Sequence, residues 1–231
     1  MTAEYSGKRF SVLGDSISTL ERYTRPSGYE YYRGENMFIA EVFFPRDTWW
    51  GQVIDALGGE LLVNNSIYGS TVIKHPAALI PTHGSSDERT GDLGEGDLSP
   101  DVIMILMGIN DWGYGVPPMA EEGEGDLTVF SVAYGAMLSK LRRNYPEAEL
   151  WCFTLPVSDY VGGADGVPQQ KRRYHLGEYS AAIRAVAEER GCRIIDLYAR
   201  EVNYKTVDNY HPNAEGMREL SEVTLRELSR G

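Results

Sequence analysis

The amino-acid sequence predicts an α/β protein with an open parallel β-sheet and helices on both faces. Short apolar runs alternate along the chain with segments of helical periodicity, which is typical of this class. One run, residues 101–108 (DVIMILMG), is apolar almost throughout, as strands buried on both faces are. The chain has 231 residues, and no low-complexity linker or repeat divides it, so we expect one domain over residues 1–231.

Five strands and four long helices are expected in alternation. The strands are expected at residues 9–14, 60–65, 101–108, 149–156 and 193–198. The helices are expected at residues 48–57, 129–144, 170–190 and 213–228. Asp47 is placed to cap the first helix, and Gly58 is placed to end it.

Three long segments interrupt this alternation. Residues 21–46 are rich in aromatic side chains, residues 84–101 are glycine-rich and acidic, and residues 113–126 carry paired prolines and a second acidic run. Connections in compact α/β domains are usually about 2–6 residues long. We therefore interpret these three segments as loop insertions, and the aromatic one as too apolar to be merely disordered.

Charge and cysteine content restrict the partners and the compartment. The formal net charge of −12 repels phosphate backbones and argues against a nucleic-acid partner. The sequence shows no apolar leader and no stretch of about 20 apolar residues, so neither secretion nor a membrane partner is expected. Cys152 and Cys192 lie in apolar runs and form no disulfide framework, which favours buried thiols and the cytoplasm.

Polar, small and titratable residues collect directly after the expected strands. Ligands of open α/β sheets bind beyond the carboxyl ends of the strands, so these positions are candidates for a site. Ser16 follows the first strand in Gly14-Asp15-Ser16. It can be read as an ordinary turn or helix-cap serine, or as a nucleophile, which would require an activating base.

The candidate base is His211, which Asp208 precedes by three residues. At the start of a helix this spacing can place both side chains on one side of the chain, so that the carboxylate orients the imidazole. The alternative is a capping arrangement with Pro212 opening the helix. Acyl transfer also requires donors for an oxyanion, and the Ser16 amide, Gly69 and the Asn110 side chain are candidates.

Four blocks of sequence together resemble the SGNH hydrolases, also called the GDSL lipase/acylhydrolase superfamily. They are GDS, the glycine of NNSIYGST (64–71), GIND (108–111) and DNYHP (208–212), in this order over nearly the whole chain. Two departures are small: Ile17 replaces the usual leucine, and Ser66 and Ile67 stand where many members have a glycine.

The resemblance implies a flavodoxin-like three-layer α/β/α sandwich with a five-stranded parallel sheet. It implies a hydrolase that needs no metal or other cofactor. Ser16 would be the nucleophile, His211 the base and Asp208 its orienter. The Ser16 amide, Gly69 and Asn110 would form the oxyanion hole.

Position next to these blocks makes four further residues candidate substrate contacts: Asp15, Tyr68, Asp111 and Trp112. The first hypothesis is an esterase that releases short acyl groups from a small-molecule or carbohydrate ester, because tyrosine and tryptophan rings stack on sugars. A lipase or thioesterase for longer acyl chains is an alternative. A flavodoxin-like ligand-binding module is a non-enzymatic alternative.

Overall fold

A five-stranded, all-parallel sheet forms the centre of the protein. The computed structural model describes residues 2–77, 80, 82–120, 125–158, 173–200 and 202–230. Its strands are β1 (Arg9–Gly14), β2 (Glu60–Ser66), β3 (Val102–Leu106), β4 (Glu149–Phe153), β5 (Val157–Ser158), β6 (Arg193–Ile195) and β7 (Asn203–Tyr204). The main sheet has the spatial order β2-β1-β3-β4-β6, and β5 pairs with β7 in a separate ribbon. The predicted α/β class and five-stranded parallel sheet are confirmed.

Helices flank the sheet. They are α1 (Thr2–Tyr5), α2 (Glu35–Ala40), α3 (Trp49–Leu57), α4 (Asp87–Gly91), α5 (Ile109–Tyr114), α6 (Phe130–Asn144), α7 (Leu176–Glu189) and α8 (Ala214–Leu228). Helix α3 packs on α8, whereas α6 packs on α4 and α7. Right-handed crossovers put α3 on one face and α6 and α7 on the other, because the chain moves in opposite directions from β1. This arrangement is the three-layer sandwich that the resemblance implied.

Local sequence explains where these elements begin and end. Every residue of β3 is buried, as its continuous apolar run predicts. Helix α3 ends at Gly58, which has the left-handed φ of 71°. The predicted cap of this helix was wrong: Thr48 accepts the hydrogen bond from the Gly51 amide, while Asp47 accepts from the amides of residues 43 and 44.

Several predicted boundaries were too long. The runs 149–156 and 193–198 leave the sheet early, at Phe153 and Ile195. Beyond these ends side chains bond to the backbone: the Thr154 hydroxyl accepts the Tyr198 amide at 2.9 Å, and the Ser180 hydroxyl accepts the Leu155 amide at 3.2 Å. The predicted helix 170–190 is seen from Leu176 onward, and residues 170–172 lie outside the described residues. The β5–β7 ribbon was not predicted, because two-residue strands leave no periodic signal.

The predicted loop insertions contain structure of their own. Residues 21–46 include α2, residues 84–101 include α4, and α5 extends into residues 113–126. Of the two cysteines, Cys152 is buried as expected, but Cys192 is only half-buried. No helix in the described part of the chain is long and apolar enough to cross a membrane.

Candidate active site

The site lies where the chain reverses its direction of winding across the sheet. Strands β1 and β3 are neighbours there, and the chain moves to opposite edges after leaving them. Gly14 ends β1 in a crowded position: an added Cβ would lie 2.7 Å from the Ser66 Oγ and from the Ser18 Cβ. The absence of a side chain therefore lets β1 turn at once into a 3₁₀ helix, Ser16–Ser18, with Ser16 at its first position.

Ser16, His211 and Asp208 form a continuous chain of hydrogen bonds. The Ser16 Oγ lies 2.9 Å from the His211 Nε2, and the His211 Nδ1 lies 2.7 Å from the Asp208 Oδ2. With the carboxylate accepting at Nδ1, the imidazole carries its proton there and Nε2 accepts from the serine hydroxyl. Ser16 is 4% exposed and His211 is 8% exposed, so the contact is shielded from water.

A turn brings Asp208 to His211, and the helix follows later. The Asp208 Oδ1 accepts hydrogen bonds from the backbone amides of Tyr210 and His211 at 3.1 and 2.8 Å. Asn209 between them has a φ of 73°, a conformation that asparagine tolerates better than most residues. Helix α8 begins only at residue 214, so the expected helix-start geometry is replaced by this turn.

Hydrogen bonding keeps Asp208 ionised. Partial burial favours the neutral acid, but the hydrogen bonds from the His211 ring and amide and the electrostatic attraction to that ring outweigh burial, and the Tyr31 hydroxyl adds a further bond. Together they hold the pKa of Asp208 well below its ordinary value. The carboxylate is therefore charged at any pH at which the imidazole can act as a base.

Gly69 and Asn110 lie in the segments that follow β2 and β3, and both line the same cavity as Ser16. Gly69 adopts a φ of 74°, which glycine reaches without strain, and it lines the cavity next to Ser16. The Asn110 Nδ2 donates to the Ser70 carbonyl at 2.9 Å, which fixes the side chain against the neighbouring loop. An amide nitrogen carries two hydrogens, so this bond uses one of them.

These residues line one cavity of about 430 Å³. Its walls are formed by Ser16, Ile17, Tyr68, Gly69, Ile80, Ile109, Asn110, Gly113, Tyr114, Tyr210 and His211. Tyr68 is 51% exposed at its mouth, so this predicted substrate contact does border the cavity. The size suits a small ligand.

The other three predicted substrate contacts lie behind the cavity wall. Asp111 is fully buried and accepts the amides of Val72 and Ile73 at 2.8 and 3.2 Å. Trp112 is also buried, and its indole N–H donates to the Tyr174 carbonyl at 3.0 Å. The expectation failed for both because α5 turns the side chains of residues 111 and 112 into the protein.

Asp15 is likewise buried and supports the turn that presents Ser16. Its Oδ1 accepts the Ile17 amide at 3.1 Å. Burial raises the pKa of Asp15 from 3.8 to about 7, against the opposing effects of the Ile17 amide and the Arg89 guanidinium. Burial also raises the pKa of Asp111 to about 7. Both carboxyl groups are structural in this arrangement.

Arg89 is a buried residue of the site region that the sequence analysis missed. It is 1% exposed and donates to the Gly14 carbonyl, the Asn65 carbonyl and the Ser70 Oγ, each at 2.8 Å. It therefore ties the turn that carries Ser16 to the loop that carries Gly69. Its place in the acidic, glycine-rich segment DERTG gave no signal of burial.

The described residues hold no group of three or more His, Cys, Asp or Glu side chains placed to bind a metal ion. The polar side chains of the cavity wall are instead a hydroxyl, an imidazole, an amide and phenols. With a carboxylate behind the imidazole, they can perform proton transfer and nucleophilic attack.

Comparison with known proteins agrees with this chemistry. The model of the GDSL-like lipase/acylhydrolase family matches residues 12–219. A protein named as a GDSL-like lipase from Bacteroides ovatus is 26% identical, with a TM-score of 0.72 over 98% of this chain and 100% of its own. A protein of the same description from Bacteroides uniformis is 24% identical, with a TM-score of 0.74 and complete coverage of both chains.

A carbohydrate acetylesterase from Sinorhizobium meliloti shares the fold at 14% identity, with a TM-score of 0.64 over 97% of this chain and 100% of its own. No curated protein matches the chain. Fold and site together define an α/β acylhydrolase. The protein belongs to the GDSL-like lipase/acylhydrolase family, and this membership favours an enzyme over a ligand-binding module.

Proposed function

We propose that the protein is a serine esterase that removes short acyl groups, with esters of carbohydrates as its substrate class. The observation that carries the proposal is the hydrogen-bonded chain from Ser16 through His211 to Asp208, at 2.9 and 2.7 Å, on the wall of a cavity of about 430 Å³. Each group already has the partner that the reaction requires.

The first half of the reaction forms an acyl-enzyme. The Ser16 Oγ attacks the ester carbonyl carbon while the His211 Nε2 accepts the hydroxyl proton. Negative charge moves to the carbonyl oxygen, where the amides of Ser16 and Gly69 and the second hydrogen of the Asn110 amide can donate to it. When the tetrahedral intermediate collapses, the imidazolium returns the proton to the departing alcohol oxygen.

Water completes the cycle. His211 takes a proton from a water molecule, which attacks the acyl carbon, and the Ser16 oxygen leaves and regains its proton from the imidazolium. Asp208 stays charged throughout and stabilises the imidazolium that forms in each half. The products are the carboxylic acid and the alcohol, and no other reactant is consumed.

The volume and the rim of the cavity support a small ester of a polar alcohol. Tyr68 and Tyr114 are 51% and 44% exposed at its edge. One face of each ring is turned to another ring, that of Tyr31 and of His75, so a sugar would stack on the opposite face. A structural neighbour from Sinorhizobium meliloti is a carbohydrate acetylesterase, which supports the same substrate class. The apolar side chains of Ile17, Ile80 and Ile109 also line the cavity and favour the alternative, a lipase or thioesterase for longer acyl chains.

The test compares wild type with Ser16→Ala on nitrophenyl acetate and on an acetylated oligosaccharide. We expect wild type to hydrolyse both and Ser16→Ala to lose about a million-fold in kcat, as loss of the nucleophile does in related triads. The matched control is Ser139→Ala, an exposed serine of α6 that does not line the cavity. A fluorophosphonate should label Ser16 in wild type, and turnover by Ser16→Ala at the wild-type rate would refute the proposal.

A further inference from the structure

We propose that the aromatic insertion, residues 21–46, is a positioning element for the triad and that Tyr31 is the residue through which it acts. The inference rests on the proposed function, because it concerns the same triad. Tyr31 contacts both the Asp208 carboxylate and the His211 imidazole, and its neighbours Tyr29 and Tyr32 bond to the backbone of Tyr68 and Pro212.

The first contact is a hydrogen bond to the carboxylate. The Tyr31 hydroxyl donates to the Asp208 Oδ2 at 2.9 Å, and this is the oxygen that lies 2.7 Å from the His211 Nδ1. The Asp208 side chain is 41% exposed, so water can compete for it. The hydroxyl and the imidazole N–H thus bond to the same carboxylate oxygen, so a hydroxyl fixed by the insertion holds that oxygen within reach of the His211 Nδ1.

The second contact is a stack on the imidazole. The rings of Tyr31 and His211 are nearly parallel, at an interplanar angle of 11° with centroids 3.4 Å apart. The phenol closes one face of the imidazole and prevents it from swinging out of line with Ser16. The electron-rich ring face also attracts the positive charge that the imidazole acquires when it takes the serine proton.

The insertion is itself tied to the nucleophile. The Tyr31 amide donates to the Thr19 Oγ1 at 2.9 Å, and the same hydroxyl donates to the Ser16 carbonyl at 2.9 Å. The position of the Tyr31 backbone is thus set by the turn that carries Ser16. Movement of one relative to the other would break both bonds.

Neighbouring residues of the insertion fix the other two parts of the site. Tyr32, fully buried, donates its hydroxyl to the Pro212 carbonyl at 2.7 Å, directly after His211. The Tyr29 carbonyl accepts the Tyr68 amide at 2.8 Å, directly before Gly69. Residues 29–32 therefore contact the turn that carries Ser16, the turn that carries Asp208 and His211, and the loop that carries Gly69.

If Tyr31 only filled space beside His211, its substitutions would have different effects. A filler requires the ring but not the hydroxyl, so Tyr31→Phe would behave as wild type. A positioning role requires the hydroxyl, and it affects the chemical step more than substrate binding. These two readings are separated by kcat, KM and the state of the His211 ring, measured in the same variants.

The experiment uses the full chain with three substitutions: Tyr31→Phe, Tyr31→Leu and, as control, Tyr23→Phe. Tyr23 lies in the same insertion, is 42% exposed and contacts none of the triad residues. We expect Tyr31→Phe to lower kcat about tenfold with KM unchanged, the effect of one hydrogen bond to a charged group. Tyr31→Leu removes the stack as well and should lower kcat about a hundredfold, while Tyr23→Phe should match wild type.

A second readout does not depend on turnover. Proton NMR of wild type should show the downfield His211 Nδ1–H of the bond to Asp208, and in Tyr31→Phe this resonance should broaden or move upfield. Unchanged kcat and an unchanged resonance in Tyr31→Phe would overturn the inference, as would a rise in KM with no change in kcat. An inactive wild type would instead refute the proposed function, and the NMR result would still test the role of Tyr31.

Discussion

Replacing Asp15 by asparagine should make the folding stability of the protein less dependent on pH. Asp15 is buried behind the nucleophile turn, and burial raises the pKa of its carboxyl group from 3.8 to about 7. Its Oδ1 accepts one backbone amide, that of Ile17, and the asparagine oxygen can accept the same bond. The substitution therefore removes the titration and keeps the turn.

The sign follows from proton binding in the two states. Between pH 4 and pH 7 the folded protein retains the Asp15 proton, whereas the unfolded chain has lost it. Since stability falls with pH wherever the folded state binds more protons, this group lowers the free energy of unfolding as pH rises through that window. From pH 4.5 to pH 8 the integrated difference is about 3 kcal/mol.

Urea denaturation at pH 4.5 and pH 8 measures the effect for wild type and Asp15→Asn. The quantity is the change in unfolding free energy between the two pH values, and we expect wild type to lose about 3 kcal/mol more than the variant. Asp55→Asn, on the exposed side of α3, controls for the loss of one negative charge from the surface. Equal pH dependence in wild type and Asp15→Asn would refute the conclusion that the buried Asp15 carboxyl has a raised pKa.

Three further measurements test the site. Asn110→Ala should lower kcat about a hundredfold with little change in KM, since it removes an oxyanion donor, and an unchanged kcat would remove Asn110 from that role. Arg89 does not line the cavity, but it bonds to the Gly14 carbonyl, so Arg89→Met should displace the turn that carries Ser16 and lower kcat about ten- to a hundredfold. Steady-state kinetics measures this loss, and thermal unfolding checks that the variant is folded. Nitrophenyl acetate should have a higher kcat/KM than nitrophenyl octanoate. A long apolar groove would instead gain about 5 kcal/mol of binding free energy from the six additional methylenes of the octanoate. A kcat/KM that rises steadily with chain length would therefore favour the lipase or thioesterase alternative.

The sheet was predictable from sequence because its signals are local. Strand β3 is a continuous apolar run, and α3 has apolar residues at helical spacing before Gly58. The failures occurred where one tertiary contact decides the outcome. The Thr154 hydroxyl, just beyond β4, is bonded to an amide 44 residues away, and a local window of sequence does not contain both partners.

The candidate site was predictable where its residues lie just beyond the ends of strands. Ser16, Gly69, Asn110 and the Asp208–His211 pair each lie directly beyond a strand or in a short turn, where parallel topology brings them together. Side-chain direction was not predictable in the same way. Asp111 and Trp112 follow Asn110 by one and two residues, and α5 turns them inward.

The residues that escaped prediction share a physical character: they satisfy hydrogen bonds of the loops on which the motif residues lie. Arg89 holds the carbonyl of Gly14 on one side of the nucleophile turn, and Tyr31 holds Asp208 on the other side of the imidazole. A buried guanidinium loses solvation that three bonds to oxygen must replace, so its position is strongly constrained once the loops close around it. In the proposed mechanism the four sequence blocks supply the reacting groups, and the contacts of Tyr31 and Arg89 set how firmly those groups are held. A relative could therefore retain every block and still differ widely in rate.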